Sequence, residues 1–236
     1  MIENTYFLMI KREIKFKDNR KKEIVFLSSC ILNQNNRYPG IAVCEGAVSA
    51  LIEPFLKKGA GIEQLPCLEC MGWGGVSRNT IFKFFPIVFK RSNSRFIKLF
   101  SKIWLWNFKR LCKKEASKLV NRVQNYLNSS YKILGVIAMN DSPTCGATKT
   151  LDLLDTIFRH KELDISLDTL QFPRIEEMKE LLDKIVVKGQ GLFMRELISK
   201  LRKKKINLKI VGFDPWLDVN EESERIVNLI FEEWKK

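Results

Sequence analysis

Three cysteines follow three apolar segments of the chain, and they are its strongest candidates for chemistry. Cys30 follows residues 24–29, Cys67 follows residues 62–65, and Cys145 ends the turn after a third apolar segment. Short apolar runs bounded by turn-forming residues are typical of buried strands. Ligands of open α/β sheets bind at the carboxyl ends of the strands. The sequence therefore predicts one site that three loops build and that collects three thiols.

Thiolates bind zinc, copper(I) and iron–sulfur clusters. A structural zinc ion takes four ligands, so three cysteines leave one position open, which in a [4Fe–4S] cluster is an iron without a protein thiolate. Cys67 and Cys70 are spaced as a two-thiol motif that serves either as zinc ligands or as a redox pair. Alternatively, the cysteines are small core residues, which is our expectation for Cys44 and Cys112.

Two further polar groups lie beside these thiols. Glu69 is two residues after Cys67, and Ser142 is three residues before Cys145. A carboxylate near a metal can accept or donate a proton, and a hydroxyl can hold a substrate heteroatom. The alternative is a solvated glutamate and a serine that only forms a turn. Histidine zinc sites and Ser-His or Cys-His catalysis are disfavoured, because His160 is the chain's one histidine and its polar surroundings predict a surface position.

Strand and helix patterns alternate along the chain, which is typical of a parallel sheet between helices. We predict an α/β fold with about four to five parallel strands, helices on both faces and a basic helical insertion, all in one domain spanning 1–236. Residues 67–78 are rich in glycine and are predicted to form a loop, and 147–188 give no firm prediction. The predicted strands are 23–29, 62–65, 132–139 and 208–213, and the predicted helices are 45–58, 192–204 and 220–234.

The basic insertion, about 79–114, contains ten Lys and Arg residues and no Asp or Glu among many aromatic residues. Apolar residues from Phe96 onward recur at helical spacing and predict a helix that packs on the sheet with its lysines in solvent. Residues 81–90 are harder to bury and predict a lid or a partner surface. The alternative is an appendage that binds RNA or an anionic membrane surface.

The net charge of +14 suits nucleic acid, anionic lipid or an acidic partner, but it also suits a generally lysine-rich composition. Six cysteines without a recognisable signal peptide predict a reducing, cytoplasmic location. No apolar run reaches the length of about 18 residues that a transmembrane helix needs. We infer no obligate protein partner.

Three motifs occur in an order that resembles the thiouracil desulfidase family, in its longer, desulfidase-related branch. They are Ser29-Cys30 through Tyr38-Pro39-Gly40, Leu65-Pro66-Cys67-Leu68-Glu69 with Gly74-Gly75, and Asn140-Asp141-Ser142-Pro143-Thr144-Cys145-Gly146. The similarity covers roughly 23–78 and 131–215. This chain departs from the family pattern where Asn36 replaces a second cysteine, Leu68 replaces a proline, and Cys70 is an additional thiol.

The resemblance implies a [4Fe–4S] cluster held by Cys30, Cys67 and Cys145, with Glu69 and Ser142 as the catalytic pair. It implies an enzyme that removes sulfur from a thiolated base, nucleoside or related C=S compound, with the sulfur bound by the open iron. The alternative is a non-catalytic metal or cluster protein associated with nucleic acid or membrane. The remaining candidates, for substrate binding, are Arg37, Tyr38, Arg78 and Asp141.

Overall fold

The central sheet contains four parallel strands, as the sequence predicts. They are β1 (Glu23–Ser28), β2 (Gly61–Leu65), β3 (Lys132–Met139) and β6 (Ile210–Phe213), in the order β2–β1–β3–β6. The computed structural model describes residues 18–171 and 174–232, so parts of the predicted domain lie outside it. Strands β1 and β3 are buried almost throughout, which explains their continuous apolar runs. The α/β prediction is confirmed.

Ten α-helices occur in the described residues, together with a short 3₁₀ helix at Gln34–Asn36. They are α1 (Ser29–Leu32), α2 (Ser49–Lys57), α3 (Leu68–Gly72), α4 (Asn79–Lys90), α5 (Arg95–Asn128), α6 (Leu153–Phe158), α7 (Leu167–Gln171), α8 (Ile175–Ile185), α9 (Leu192–Lys203) and α10 (Val219–Glu232). A short antiparallel pair, β4 (Lys149–Leu151) and β5 (Val186–Lys188), brackets α6 to α8.

The helices cover both faces of the sheet. Helix α10 packs against α2, and α9 packs against α5. From β1 the chain crosses the sheet in one direction to reach β2, and from β2 it crosses back past β1 to reach β3. Because parallel crossovers are right-handed, connections that run in opposite directions place their helices on opposite faces of the sheet. The connections from β1 and β3 diverge, so the carboxyl ends of these two neighbours form the switch point at which α/β sheets bind ligands.

The basic insertion forms α4 and the first part of α5. The predicted packing holds for Phe108 and Cys112, which are buried in the core. It is wrong for the start of α5, where Phe96 is 85% exposed. Two faces of this segment are apolar. One contains Phe108 and packs on the core, whereas the other contains Phe96 and lies in solvent. None of the described helices combines the length and apolarity needed to cross a membrane.

Two further predictions need correction. The segment 67–78 is not a loop throughout, because its first part forms α3, whose start is capped by the Cys67 thiol accepting the Cys70 N–H at 3.5 Å. His160 is buried instead of exposed, with Nδ1 2.9 Å from the Ile157 carbonyl oxygen. Its ring lies 4.2 Å from that of Phe89, a contact between segments far apart in sequence.

Candidate functional site

Three loops at the carboxyl edge of the sheet deliver three cysteines to one cavity. Cys30 lies in α1 directly after β1, Cys67 lies between β2 and α3, and Cys145 lies in the turn after β3. All three line the same cavity. All six cysteines of the chain are free thiols. The structure therefore brings together the three residues that the strand ends pointed to.

The cavity thiols favour their protonated form in the metal-free protein. Burial raises the pKa of Cys30 to about 12, with a further increase from Cys67. Burial also raises the pKa of Cys145 to about 12, with a further increase from Cys30, and it raises the pKa of Cys67, to which Cys145 contributes. Burial is the main cause for each thiol, and the charge of a neighbouring cysteine adds to it, so the ionised forms are disfavoured.

Glu69 and Ser142 are directly hydrogen-bonded across the cavity. The Ser142 hydroxyl donates to Glu69 Oε1 at 2.8 Å. It accepts the backbone N–H groups of Cys145 at 2.9 Å and Thr144 at 3.2 Å, which fix its orientation. The Thr144 hydroxyl also donates to Glu69 Oε1, at 3.1 Å. Sequence reasoning assigned no role to Thr144, although its place between Ser142 and Cys145 in the motif was a usable signal.

Arg78 lies behind the cysteine loop instead of in the cavity lining. It is fully buried, with a left-handed φ of 55°, and its guanidinium donates to the Asn36 carbonyl oxygen at 2.6 Å. It also donates to Cys70 Sγ at 2.8 Å and lies 3.8 Å from Glu69 Oε2. Its substrate-binding role stays a prediction, and these contacts favour a positioning role. Cys70 likewise faces Arg78 and is absent from the cavity lining.

The other three substrate-binding candidates do line the cavity. Arg37 is buried, and its Nη1 has no hydrogen-bond partner. Buried guanidinium nitrogens are normally paired, so Nη1 can serve a ligand acceptor. The Tyr38 hydroxyl donates to the Leu170 carbonyl oxygen at 2.5 Å and ties the first loop to α7. Asp141 has a left-handed φ of 64°, and burial raises its pKa.

The far wall of the cavity is apolar and comes from the segment that gave no firm prediction. Helix α8 contributes Met178, Leu181, Leu182 and Ile185, which recur at i, i+3, i+4 and i+7. This helical spacing was the signal that could have revealed the wall. The cavity volume is about 120 Å³, whereas one water molecule requires about 10–15 Å³ on the same measure. It can therefore admit a small organic molecule.

The chemistry of the donor set fits a thiolate-ligated cluster. Three thiols share one cavity, and each must lose its proton to bind iron. In the described part of the chain, no three His, Cys, Asp or Glu side chains are grouped as ligands of a metal ion would be. In a [4Fe–4S] cluster each cysteine binds a different iron, so its ligands need not lie as close together as the ligands of one ion. The agreement between these residues and such a cluster therefore rests on the type of donor and on the shared cavity.

A comparison with known proteins finds a distant relative of unstated activity. No family model matches the chain, and no solved structure matches it. The chain is similar to MJ0003, an uncharacterized protein of Methanocaldococcus jannaschii, with 28% identity over 158 residues. The matched segment is 66% of this chain and 89% of the relative. The relative's name states no activity, so this similarity gives no information about the chemistry of the site.

Proposed function

We propose that this protein is a [4Fe–4S]-dependent desulfidase that replaces the sulfur of a thiolated base, nucleoside or related C=S compound with oxygen. The observation that carries the proposal is the Ser142–Glu69 hydrogen bond in a cavity that three cysteines line. A nucleophile-activating carboxylate beside three soft ligands, at the switch point of the sheet, suits hydrolysis of a sulfur compound.

Cys30, Cys67 and Cys145 are the residues that would hold the cluster. When bound through three thiolates, such a cluster offers one iron without a protein ligand, which is a Lewis acid with affinity for sulfur. The net reaction needs only water: the carbon–sulfur double bond is replaced by a carbon–oxygen double bond, and hydrogen sulfide is released. No electron is gained or lost, so no redox partner is required.

In this proposal Glu69 takes the proton from the attacking water. Two hydroxyls donate to its Oε1, and Arg78 faces its Oε2, so the carboxylate is held in one orientation. The Ser142 hydroxyl is fixed by two backbone N–H groups and can hold a ring heteroatom when substrate displaces its bond to Glu69. Glu69 therefore acts as an oriented proton acceptor and Ser142 orients the substrate ring, both on the polar side of the cavity.

The cavity also selects the rest of the substrate. The unpaired Nη1 of Arg37 is a donor for a second acceptor on the compound, such as a ring carbonyl oxygen. The apolar wall of α8 faces a hydrophobic part of the ligand without offering polar partners. A compact thiolated ring with one further acceptor satisfies both sides.

The first test is metal analysis of anaerobically purified protein, followed by sulfide release from 2-thiouracil and 4-thiouridine. We expect a broad visible absorption band and roughly four irons per chain. Cys67→Ala is expected to lose both the cluster and sulfide release. Its matched control, Cys44→Ala, removes a thiol outside the cavity lining and is expected to keep both.

The role of Glu69 is tested separately from cluster binding. Glu69→Gln keeps the size of the side chain and is expected to retain iron while sulfide release falls roughly 100-fold or more. Glu45→Gln, at an exposed position, is the control. Full cluster content and full sulfide release in Cys67→Ala protein would refute the proposed ligand set and activity together.

A second candidate function is a cluster- or metal-binding protein without catalysis that is held at a nucleic acid or membrane. The acid-free composition of 79–114 and its exposed apolar residues favour it. A loaded cluster without sulfide release from any thiolated base or nucleoside would select this candidate. For both functions we propose a reducing, cytoplasmic location, because all six cysteines are free thiols.

A further inference from the structure

The first turns of α5 expose a continuous row of large apolar side chains. The row, which we call the apolar ridge, consists of Phe96, Leu99, Phe100 and Ile103, with exposed fractions of 85%, 58%, 53% and 49%. Their spacing of i, i+3, i+4 and i+7 places them on one face of the helix. Isolated exposed apolar residues are common, but a contiguous row of this size indicates an interaction surface.

Basic residues flank the apolar ridge. Arg95, Lys98 and Lys102 are exposed on the same turns of α5. The segment 79–114, which spans α4 and the first part of α5, contains ten Lys and Arg residues and no Asp or Glu. This surface is therefore apolar along its centre and positive along its side, which is the pattern of helices that lie in the interface of an anionic bilayer.

Other partners match the surface less well. A second copy of this chain would bring two strongly positive segments together, and like charges at a contact are repulsive. Single-stranded RNA would satisfy the charge and could stack on the two phenylalanines. The aliphatic Leu99 and Ile103 cannot stack with bases, yet they are as exposed as Phe100. A bilayer accepts aromatic and aliphatic side chains alike and requires no shape complementarity.

We infer that the apolar ridge and its flanking lysines dock this protein on an anionic phospholipid surface. The ridge would enter the headgroup and acyl boundary, while Lys98 and Lys102 contact lipid phosphates. The docking surface is connected to the cavity through α4. The Phe84 ring lies 5.5 Å from that of Phe100, and the adjacent Phe85 lines the cavity.

Vesicle flotation of the full chain tests the ridge directly. We expect binding to phosphatidylcholine vesicles that contain phosphatidylglycerol and much weaker binding to pure phosphatidylcholine. Leu99→Gln with Ile103→Gln is expected to reduce partitioning roughly tenfold or more, because both apolar side chains lose their insertion energy. The matched control, Val187→Gln with Leu217→Gln, alters two equally exposed apolar residues elsewhere and is expected to leave binding unchanged.

The charge requirement has its own variant. Lys98→Gln with Lys102→Gln is expected to weaken partitioning into anionic vesicles roughly 30-fold at low salt. This is the combined effect of removing two lysines from an anionic surface. Lys203→Gln with Lys204→Gln is the control, because these exposed lysines lie at the end of α9. Circular dichroism of each variant verifies that folding is retained.

Three results would overturn the inference. They are the absence of vesicle binding, equal binding to neutral and anionic vesicles, and tighter binding to an RNA oligonucleotide that the double glutamine variant of the ridge leaves unchanged. The measurement needs neither cluster nor substrate, so its failure is distinguishable from failure of the proposed enzyme activity.

Discussion

Replacing Arg78 with methionine isolates the interaction that holds the cysteine loop in place. Methionine fills much of the same space and removes the charge and every donor. In the native protein the guanidinium bonds the Asn36 carbonyl oxygen, the Gly75 carbonyl oxygen and Cys70 Sγ, and it faces Glu69. The substitution leaves these acceptors without their cation inside the protein.

The expected loss of stability follows from burial. Removing one partner of a buried ion pair typically costs about 3–5 kcal/mol. The lower end applies here, because the shortest Arg78–Glu69 separation is 3.8 Å and the glutamate side chain is 12% exposed. The substitution also removes the Arg78 Nε, which is buried without a hydrogen-bond partner, and this gain offsets part of the stability that is lost with the Asn36 contact. We therefore expect the free energy of unfolding to fall by about 3 kcal/mol, a large share of the usual 5–15 kcal/mol.

Urea denaturation of the cluster-free protein, followed by circular dichroism, measures this change. Arg95→Met alters an exposed arginine and is expected to stay within about 0.5 kcal/mol of wild type. A double-variant cycle with Glu69→Gln should give a coupling energy of at least about 1 kcal/mol. A loss below about 1 kcal/mol for Arg78→Met, or additive effects in the cycle, would refute the positioning role.

Three further predictions concern the strand-end loops. Gly191→Ala should destabilise the protein by about 1–3 kcal/mol in urea, because its Cβ would lie 2.4 Å from the Thr144 backbone, whereas Gly46→Ala meets no neighbouring atom and should be neutral. Asp141→Asn should raise the free energy of unfolding at pH 7 but not at pH 3. Burial raises the pKa of Asp141 in the folded protein above its unfolded value of 3.8, so the ionised carboxylate destabilises the folded state once the pH exceeds that value. Equal gains at both pH values would contradict that reasoning. The metal-free protein should lose stability as pH rises above the usual thiol pKa of about 8.5, because the folded pKa of Cys30 is about 12; a flat stability profile between pH 8 and pH 10 in denaturant titrations would contradict this.

Local sequence patterns were sufficient where a single segment determines its own environment. The apolar run at 132–139 predicted a strand because both of its faces are buried, and this matches β3. The turn formers that follow it predicted a loop at the sheet edge, where the Ser142–Glu69 bond now lies. The predicted helices at 192–204 and 220–234 agree closely with α9 and α10 over the described residues, because the apolar residues of each segment recur at helical spacing.

Long-range packing decided what those patterns left open. The inward direction of Arg78 was not evident from its own segment, because its guanidinium combines local acceptors with the Asn36 carbonyl oxygen, forty-two residues away. The wall formed by α8 faces the cysteine loops through contacts between segments that are far apart in sequence.

The sequence by itself determined the alternation of strands and helices, the thiols at the strand ends and the acid-free basic segment. The tertiary structure alone decided that Arg78 and Cys70 lie outside the cavity lining and which apolar face of α5 stays exposed. The physical reason is that periodicity defines the faces of an element, whereas burial depends on which partners exist to cover them. At the start of α5 the core covers the face that contains Ser101, and the described structure leaves the ridge that begins at Phe96 in solvent.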